Sequence, residues 1–248
     1  MKVVILAGGF GTRLAEYTKT IPKPMVKIGK YPIIIHIINH YAKHGLKNFY
    51  IAAGYKSNII KKYFKDFKTS GKVFKVKIFN NNCNITIVDT GKKSLTGGRL
   101  RRIKKYLAKD DNFMFTYGDG VSDVDIKKLK KFHLKNKNLI TVTAVRPPAR
   151  FGELILKKNS VTSFKEKPQA TNGWINGGFF VAKTSFLNLI KKDADILEKK
   201  PLEEASKKKQ FMAFKHTGFW KCVDVKRDRD ELEKIYKINK FIWKKNNQ

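Results

Sequence analysis

The sequence predicts an α/β protein with a Rossmann-like mixed, mainly parallel sheet and helices on both faces. Two observations support this prediction. Short apolar runs alternate with stretches of helical spacing through the first two thirds of the chain, a pattern typical of strands joined by crossover helices. The chain has 248 residues, of which 42% are hydrophobic, and this is enough for one domain with a sizeable core.

The first part of the chain, residues 1–146, contains most of the predicted elements. Strands are expected at Val3–Leu6, Asn48–Ala52, Phe74–Phe79, Ile85–Val88, Phe113–Tyr117 and Ile140–Val145. Helices are expected at Pro32–His44, at Ser57–Phe67, around Leu100, Ile103 and Leu107, and at Asp125–Lys137. Pro32 suits a first helical turn and Gly45 suits a helix end, while Ser57 can cap the second helix.

The second part, residues 147–248, begins at Pro147-Pro148, where the pattern changes to shorter strands. These are expected at Glu153–Leu156, Val161–Phe164, Gly177–Val181, Phe211–His216 and Cys222–Val225. A closing helix is marked by apolar residues at helical spacing, namely Leu232, Ile235, Tyr236 and Ile242. No internal repeat or linker separates the two parts, so residues 1–248 are expected to form a single domain.

The formal net charge of +34 has two interpretations. Clustered cations bind nucleic acid by displacing counterions, which makes a basic nucleic-acid-binding protein one alternative. Lysine dominates here, in pairs spread along the chain such as Lys61-Lys62 and Lys191-Lys192, whereas base recognition favours arginine. A solvated lysine-rich surface without a nucleic-acid partner is therefore the favoured interpretation.

Cysteine usage and hydropathy indicate the compartment. Only Cys83 and Cys222 occur, far apart and without metal-ligand spacing, so a reducing cytoplasm is expected. No apolar stretch is long enough to span a bilayer, and no membrane association is predicted.

A glycine-rich turn, Leu6–Leu14, follows the first apolar run and contains Gly8, Gly9 and Gly11. Bare backbone amides after a strand form a cradle for anions. The turn is not a P-loop, because no Gly-Lys-Ser/Thr follows, and it is not a dinucleotide fingerprint, because Leu14 stands where the third glycine should be. An ordinary strand-to-helix turn is the alternative, but Arg13 and Lys23 nearby favour a polyphosphate site.

The ordered motifs along the chain resemble those of the sugar-1-phosphate nucleotidylyltransferases, most closely the glucose-1-phosphate cytidylyltransferase branch. They are Leu6–Leu14 with Pro22–Met25, Asp89–Gly91, Thr96–Leu100, Phe115–Gly120, Phe164–Pro168, Asn176–Phe180, and Gly218–Trp220 with Asp224. The match covers nearly the whole chain. One departure is the stretch from Phe74 to Asp89, which is shorter than in the cytidylyltransferases.

The resemblance implies the nucleotide-diphospho-sugar transferase fold, with a nucleotide-binding part in residues 1–146 and a sugar-phosphate-binding part in residues 147–248. It implies that CTP and α-D-glucose 1-phosphate give CDP-glucose and pyrophosphate in a Mg²⁺-dependent reaction, with dTTP or UTP as alternative triphosphates. It also implies a homo-oligomer, with the hexamer as the form it suggests, and a role in polysaccharide biosynthesis such as that of O antigen.

Nucleotide contacts are expected along the glycine turn and at the starts of later motifs. The residues are Leu6, Ala7, Gly8, Gly9, Phe10, Gly11, Thr12, Arg13, Lys23, Ser94, Arg99, Thr116 and Gly118. Arg99 follows two glycines, and its guanidinium could hold phosphate oxygens, although a solvent-exposed arginine at a helix start is the alternative. Lys23 lies between two prolines that fix its backbone.

Charge neutralisation is the chemistry that nucleotidyl transfer demands, because a sugar phosphate is already anionic and needs no general base. Arg13, Lys23 and Lys167 are the predicted catalytic cations. Asp119 and Asp224 are the predicted Mg²⁺ ligands; Asp119 follows a strand at the edge where ligands bind, and Asp224 is placed within the last strand. Sugar-phosphate contacts are expected at Glu166, Lys167, Asn176 and Gly177.

Three histidines, His36, His40 and His44, recur at helical spacing in the first long helix. No cysteine or carboxylate joins them in the sequence. They are therefore interpreted as residues of a helix face and not as metal ligands.

Overall fold

A computed structural model describes residues 1–146, 153–165 and 173–239. The strands are β1 Val3–Ala7, β2 Lys27–Ile28, β3 Tyr31–Pro32, β4 Asn48–Ala53, β5 Thr69–Ser70, β6 Val73–Ile78, β7 Asn81–Asp89, β8 Asn112–Tyr117, β9 Gly120–Ser122, β10 Ile140–Val145, β11 Glu153–Lys157, β12 Ser160–Lys165, β13 Ile175–Lys183, β14 Phe211–His216 and β15 Trp220–Cys222. The α-helices are α1 Ala15–Thr18, α2 Ile33–Lys43, α3 Ser57–Phe64, α4 Thr96–Leu107, α5 Ile126–Asn136, α6 Lys200–Lys207 and α7 Lys226–Asn239. Short 3₁₀-helices span Thr12–Leu14, Lys23–Met25 and Thr184–Leu189.

The central sheet has nine strands in the order β14-β10-β13-β8-β1-β4-β7-β6-β5. Strands β8, β1, β4 and β7 are parallel neighbours, and β10 and β14 are also parallel to each other. Only β6 and β13 run against the other strands of this sheet. The predicted mixed, mainly parallel sheet is confirmed. Strand β13, from the second part of the chain, lies between β8 and β10.

Strand β1 lies at the centre of the sheet and is buried along its whole length. Its residues alternate between two hydrophobic clusters, with Val3 and Ile5 in one and Val4 and Leu6 in the other. Helices α2, α3 and α5 contribute to the first cluster, and α4 and α6 contribute to the second. Helices therefore cover both faces of the sheet, as the alternating apolar pattern predicts.

Helix α2 is buried on every side, and two of its histidines lie inside the core. His36 Nε2 is 2.9 Å from the carbonyl oxygen of Ile28, and His40 Nε2 is 2.9 Å from that of Val124. Burial lowers the pKa of His40 to about 3, and burial also lowers the pKa of His36. Both imidazoles are therefore neutral groups that satisfy buried carbonyls.

Three local predictions are wrong. Ser57 is not a helix cap, because Lys56 precedes α3 in the left-handed conformation (φ 49°) and no side chain caps the helix. That helix ends at Phe64, short of Phe67. The last strand ends at Cys222, so Asp224 lies in the loop before α7. Ile242, predicted in the closing helix, lies outside the described residues.

None of the helices in the described ranges combines the length and the apolar character needed to cross a bilayer.

His40 should make stability depend on pH. Its pKa in the folded chain is about 3, below the value of about 6.5 for a histidine in the unfolded chain. Between these two pH values the unfolded chain binds one more proton than the folded chain. The free energy of unfolding therefore falls by about 1.4 kcal/mol for each unit by which the pH is lowered. Urea denaturation at about pH 7.5 and about pH 5 measures the loss of unfolding free energy between these two conditions. This loss should be smaller for His40→Asn than for the unsubstituted protein. Equal losses would contradict the lowered pKa.

Candidate active site

The glycine turn lies at the carboxyl end of β1 and forms one wall of a pocket with a volume of about 360 Å³. The pocket is lined by Leu6, Ala7, Gly8, Gly9, Phe10, Gly11, Thr12, Arg13, Lys23, Pro24, Lys92, Lys93, Ser94, Leu95, Thr96, Arg99, Tyr117, Gly118 and Asp119. These residues lie at the carboxyl ends of β1 and β8 or follow β1, β7 and β8 in the chain, so the pocket occupies the edge where parallel sheets bind ligands.

The backbone of the turn depends on one glycine with a positive φ. Gly11 takes φ +66°, and a Cβ there would lie 2.8 Å from the Thr18 methyl group. The Thr18 hydroxyl donates to the Gly11 and Leu14 carbonyls at 3.0 and 3.1 Å. Within the described chain, no amide of residues 9–13 donates to another backbone carbonyl. These amides can therefore hold an anion.

Arg99 lines the pocket but is buried, so it is not the solvent-exposed arginine of the alternative interpretation, and its predicted contact with phosphate stays a prediction. Its side chain is 4% exposed, and its guanidinium donates to the carbonyls of Gly8 (2.8 Å) and Gly91 (2.9 Å) and to the Thr90 hydroxyl (2.8 Å). A Cβ on Gly8 would lie 2.0 Å from its Nη1 atom. Burial lowers its pKa from the usual value, yet it remains a cation at neutral pH. These hydrogen bonds hold together the pocket loops that contain Gly8 and Gly91.

Two carboxylates meet on the ammonium of Lys23, which lines the pocket. Lys23 Nζ lies 2.6 Å from Asp119 Oδ2 and 2.9 Å from Asp224 Oδ1. Arg13 reaches the other Asp224 oxygen at 2.8 Å. The structure thus brings together four residues that are up to 211 positions apart in the sequence.

Lys23 is the most enclosed of the four, with 12% of its side chain exposed, against 70% for Arg13. Burial on its own lowers the pKa of the Lys23 ammonium, but attraction to Asp119 and Asp224 outweighs that effect and raises it. Lys23 is therefore a permanent cation. It begins the 3₁₀-helix Lys23–Met25, and extended backbone at Pro22 leads into it.

A short antiparallel ladder between β9 and β15 brings the two carboxylates together. Cys222 pairs with Gly120, and the Val223 amide donates to the Asp119 carbonyl at 3.0 Å. The other end of the ladder is held by His216, whose Nε2 lies 2.8 Å from Asp123. Asp119 and Asp224 therefore stand at the same end of one two-stranded unit.

Asn176 and Gly177, which are predicted to contact the sugar phosphate, lie next to the pocket lining. Its Nδ2 donates to the Tyr117 hydroxyl at 3.1 Å, and Tyr117 lines the pocket. A Cβ on Gly177 would lie 2.8 Å from the Thr143 carbonyl oxygen, and the Gly177 carbonyl accepts from Trp220 Nε1 at 2.7 Å. Glu166 and Lys167 lie outside the described residues.

The pocket lining includes every residue predicted to contact the nucleotide except Thr116. Thr116 is 1% exposed within β8, paired with Ile5 and Phe179 on the face that packs against α2. Its predicted contact stays a prediction without support from this geometry.

Sequence reasoning missed Lys92 and Lys93, which line the pocket from the loop before α4. Their signal was available, since they lie between the Asp89–Gly91 and Thr96–Leu100 motifs. They resemble the other lysine pairs of this strongly basic chain, so the sequence alone did not distinguish them as site residues. Glu198 lies in none of the sequence motifs, so no signal marked it.

The donor set at Asp119 and Asp224 fits magnesium, which prefers one or two carboxylates together with substrate phosphate oxygens. Lys23 already holds a positive charge between the two carboxylates. In residues 1–146, 153–165 and 173–239, no cluster of three or more His, Cys, Asp or Glu side chains could hold a metal by itself. Magnesium binding by this pair stays a prediction.

A mainly parallel sheet with an anion cradle, paired carboxylates and cations at one edge defines an α/β protein that handles phosphorylated ligands. The nucleotidyl transferase family model matches residues 2–225. The chain belongs to the nucleotidyl transferase family.

Three relatives illustrate the range of the similarity. The glucose-1-phosphate cytidylyltransferase of Salmonella typhimurium is 45% identical and is aligned over 98% of this chain and 99% of its own. A mannose-1-phosphate guanyltransferase of Aspergillus oryzae is 32% identical, over 94% of this chain and 62% of its own. The crystal structure of HddC from Yersinia pseudotuberculosis superposes with a TM-score of 0.70 at 25% identity, covering 95% of this chain and 99% of that one.

Arg99→Lys should reduce the free energy of unfolding by about 2–4 kcal/mol, because an ammonium cannot reach all the acceptors that the guanidinium fork serves. Urea denaturation measures this loss. Arg101→Lys is the matched control, since Arg101 lies on the same helix and its side chain is 47% exposed; its effect should stay within about 0.5 kcal/mol. Equal effects at the two positions would contradict the role given to Arg99.

Proposed function

We propose that the protein transfers a cytidylyl group from CTP to α-D-glucose 1-phosphate, giving CDP-glucose and pyrophosphate. The observation that carries the proposal is the Lys23 ammonium shared by Asp119 and Asp224 beside the glycine cradle. The similarity to the Salmonella typhimurium enzyme along nearly the full length of both chains supports the choice of base and sugar.

In this reaction a phosphate oxygen of glucose 1-phosphate attacks the α-phosphorus of CTP. The bond from that phosphorus to the bridging oxygen breaks, and pyrophosphate leaves with the electron pair. The attacking oxygen is already an anion, so no residue has to remove a proton. The protein must align two anionic substrates and offset their charge.

The cations of the site are suited to that task. Residues 9–13, together with Lys92 and Lys93, line the pocket proposed for the triphosphate. Arg13 and Lys23 stand beside it and can neutralise the departing pyrophosphate. Lys167 is proposed to hold the sugar phosphate, with Glu166, Asn176 and Gly177 contacting the sugar.

Asp119 and Asp224 are proposed to hold Mg²⁺ together with phosphate oxygens of the substrate. When bound, Mg²⁺ neutralises phosphate charge and polarises the reacting phosphoryl group. Without it, Asp119 and Asp224 would place two negative charges near an anionic substrate, against the positive charges of Lys23 and Arg13 beside them. The carboxylate pair is therefore suited to a site that admits a cation with the triphosphate.

Three wider assignments belong to the same proposal. The enzyme is proposed to be cytoplasmic, which its two free cysteines, Cys83 and Cys222, support. It is proposed to supply a nucleotide sugar for polysaccharide biosynthesis, such as that of O antigen. It is also proposed to form a homo-oligomer, which light scattering on a sizing column would test.

The substrate pair should be visible in a release assay. Purified protein with Mg²⁺, glucose 1-phosphate and one triphosphate at a time should release pyrophosphate fastest with CTP, compared with ATP, GTP, UTP and dTTP. Product analysis should identify CDP-glucose. No release with CTP, or faster release with UTP or dTTP, would overturn the assignment of the base.

Asp119→Asn and Asp224→Asn should each lower Mg²⁺-dependent turnover by on the order of 100-fold or more, because each removes a charged metal ligand. Both amides preserve side-chain shape, and far-UV circular dichroism should show an unchanged fold. Asp66→Asn, at an exposed position away from the pocket lining, is the matched control and should keep full activity. Full activity in either site variant would remove that residue from the proposed metal site.

A further inference from the structure

A series of hydrogen bonds links the nucleotide wall of the pocket to its sugar side. The Thr96 hydroxyl donates to Glu198 Oε2 at 2.7 Å, and the Tyr117 hydroxyl donates to Glu198 Oε1 at 2.5 Å. The Tyr117 oxygen in turn accepts from Asn176 Nδ2 at 3.1 Å. Glu198 joins the two sides, because one of its carboxylate oxygens accepts from Thr96 and the other accepts from Tyr117.

Glu198 belongs to none of the sequence motifs; it lies between the 3₁₀-helix Thr184–Leu189 and α6. Its segment is seated on the start of α4, where the Gly97 amide donates to the Asp195 carbonyl at 3.0 Å. The Leu197 amide donates to the Thr96 hydroxyl oxygen at 2.9 Å, and the Leu197 side chain is fully buried.

The two glycines at the start of α4 make this seating possible. A Cβ on Gly98 would lie 2.1 Å from the Asp193 carbonyl oxygen, and one on Gly97 would lie 2.7 Å from that of Asp195. No larger residue fits at either position without displacing the backbone of the segment. The Thr96-Gly97-Gly98 sequence therefore fixes the segment that carries Glu198.

The hydrogen bonds define the orientation of the Asn176 amide. Tyr117 donates its only proton to Glu198, so toward Asn176 its oxygen acts as an acceptor. Asn176 Oδ1 accepts from the Gly178 amide at 2.9 Å. With the oxygen and nitrogen ends both assigned, Nδ2 keeps one hydrogen that can be donated to a ligand.

We propose that Glu198 is a positioning residue for the sugar end of the site: through Tyr117 it holds the Asn176 amide as a donor to an oxygen of the sugar phosphate. The inference rests on the proposed function and adds a residue that acts without touching the substrate. Loss of Glu198 leaves the Tyr117 hydroxyl free to turn and donate to Asn176 Oδ1, which weakens the defined amide orientation.

Steady-state kinetics of Glu198→Ala and Glu198→Gln test the proposal. Glu198→Ala should lower kcat/KM for glucose 1-phosphate about tenfold, the size of one lost positioning hydrogen bond, while KM for CTP stays within about twofold. Glu198→Gln keeps an acceptor for Tyr117 and should recover most of the loss. Glu203→Ala, an exposed glutamate on α6, is the control and should match the unsubstituted enzyme.

A double-mutant cycle with Tyr117→Phe separates positioning from general stabilisation. If Glu198 acts through the Tyr117 hydroxyl, Glu198→Ala should cause little further loss once that hydroxyl is absent. Additive losses in the double variant, equal losses in kcat/KM for both substrates, or no kinetic change in Glu198→Ala would each overturn the proposal. A lowered melting temperature with unchanged kinetics would also overturn it, since it would show a structural role only.

The outcome for Glu198 is distinct from that for the proposed reaction. If the unsubstituted enzyme turns over and Glu198→Ala behaves like it, only the role of Glu198 fails. If another triphosphate is preferred, the same cycle is measured with that triphosphate and judged by the same criteria. Absence of turnover with every triphosphate tested overturns both proposals together.

Discussion

The Arg99 guanidinium joins the loops that follow three neighbouring parallel strands. Its bonds reach the Gly8 carbonyl after β1 and the Thr90 and Gly91 oxygens after β7, and a longer contact of 3.4 Å reaches Ala53 at the end of β4. These loops form the ligand-binding edge of the sheet. One buried cation on α4 therefore fixes the relative positions of loops that are distant in sequence.

The position of Arg99 gives a second reason for the glycines near it, besides close approach of a ligand. Gly8 lacks a side chain because Arg99 occupies the space, and Gly54, where a Cβ would lie 2.3 Å from Arg99 Nη1, is constrained in the same way. Gly11 owes its identity to a positive φ and to Thr18. A glycine-rich turn in a sequence thus indicates close approach, but the approaching group can be an arginine of the same protein as well as a phosphate.

Periodicity was sufficient to predict helix α2 and every strand of the central sheet except the exposed two-residue β5, because the apolar spacing of these elements records burial directly. The pocket residues that follow strands could also be predicted, since chain order places them at one edge. The role of Arg99 could not, because its acceptors, apart from the Thr90 hydroxyl, are backbone carbonyls, which leave no mark on the sequence. Asp224 was misplaced in a strand because Val223 and Val225 flank it, although Val225 is 37% exposed in the loop. The function of Glu198 depends on tertiary contacts alone.

The insertion of β13 between β8 and β10 has a consequence for how the chain folds as it is synthesised. Residues 1–146 contain the glycine turn, Lys23 and Asp119, yet β8 has no partner on its β13 side until residues 175–183 have been made. Asp224 follows later still and is aligned only when β15 pairs with β9. The residues of the anion cradle are therefore synthesised well before the second carboxylate, Asp224. The four charged residues Arg13, Lys23, Asp119 and Asp224 come together only when the long-range strand pairings have formed. Such pairings form slowly in folds of this kind.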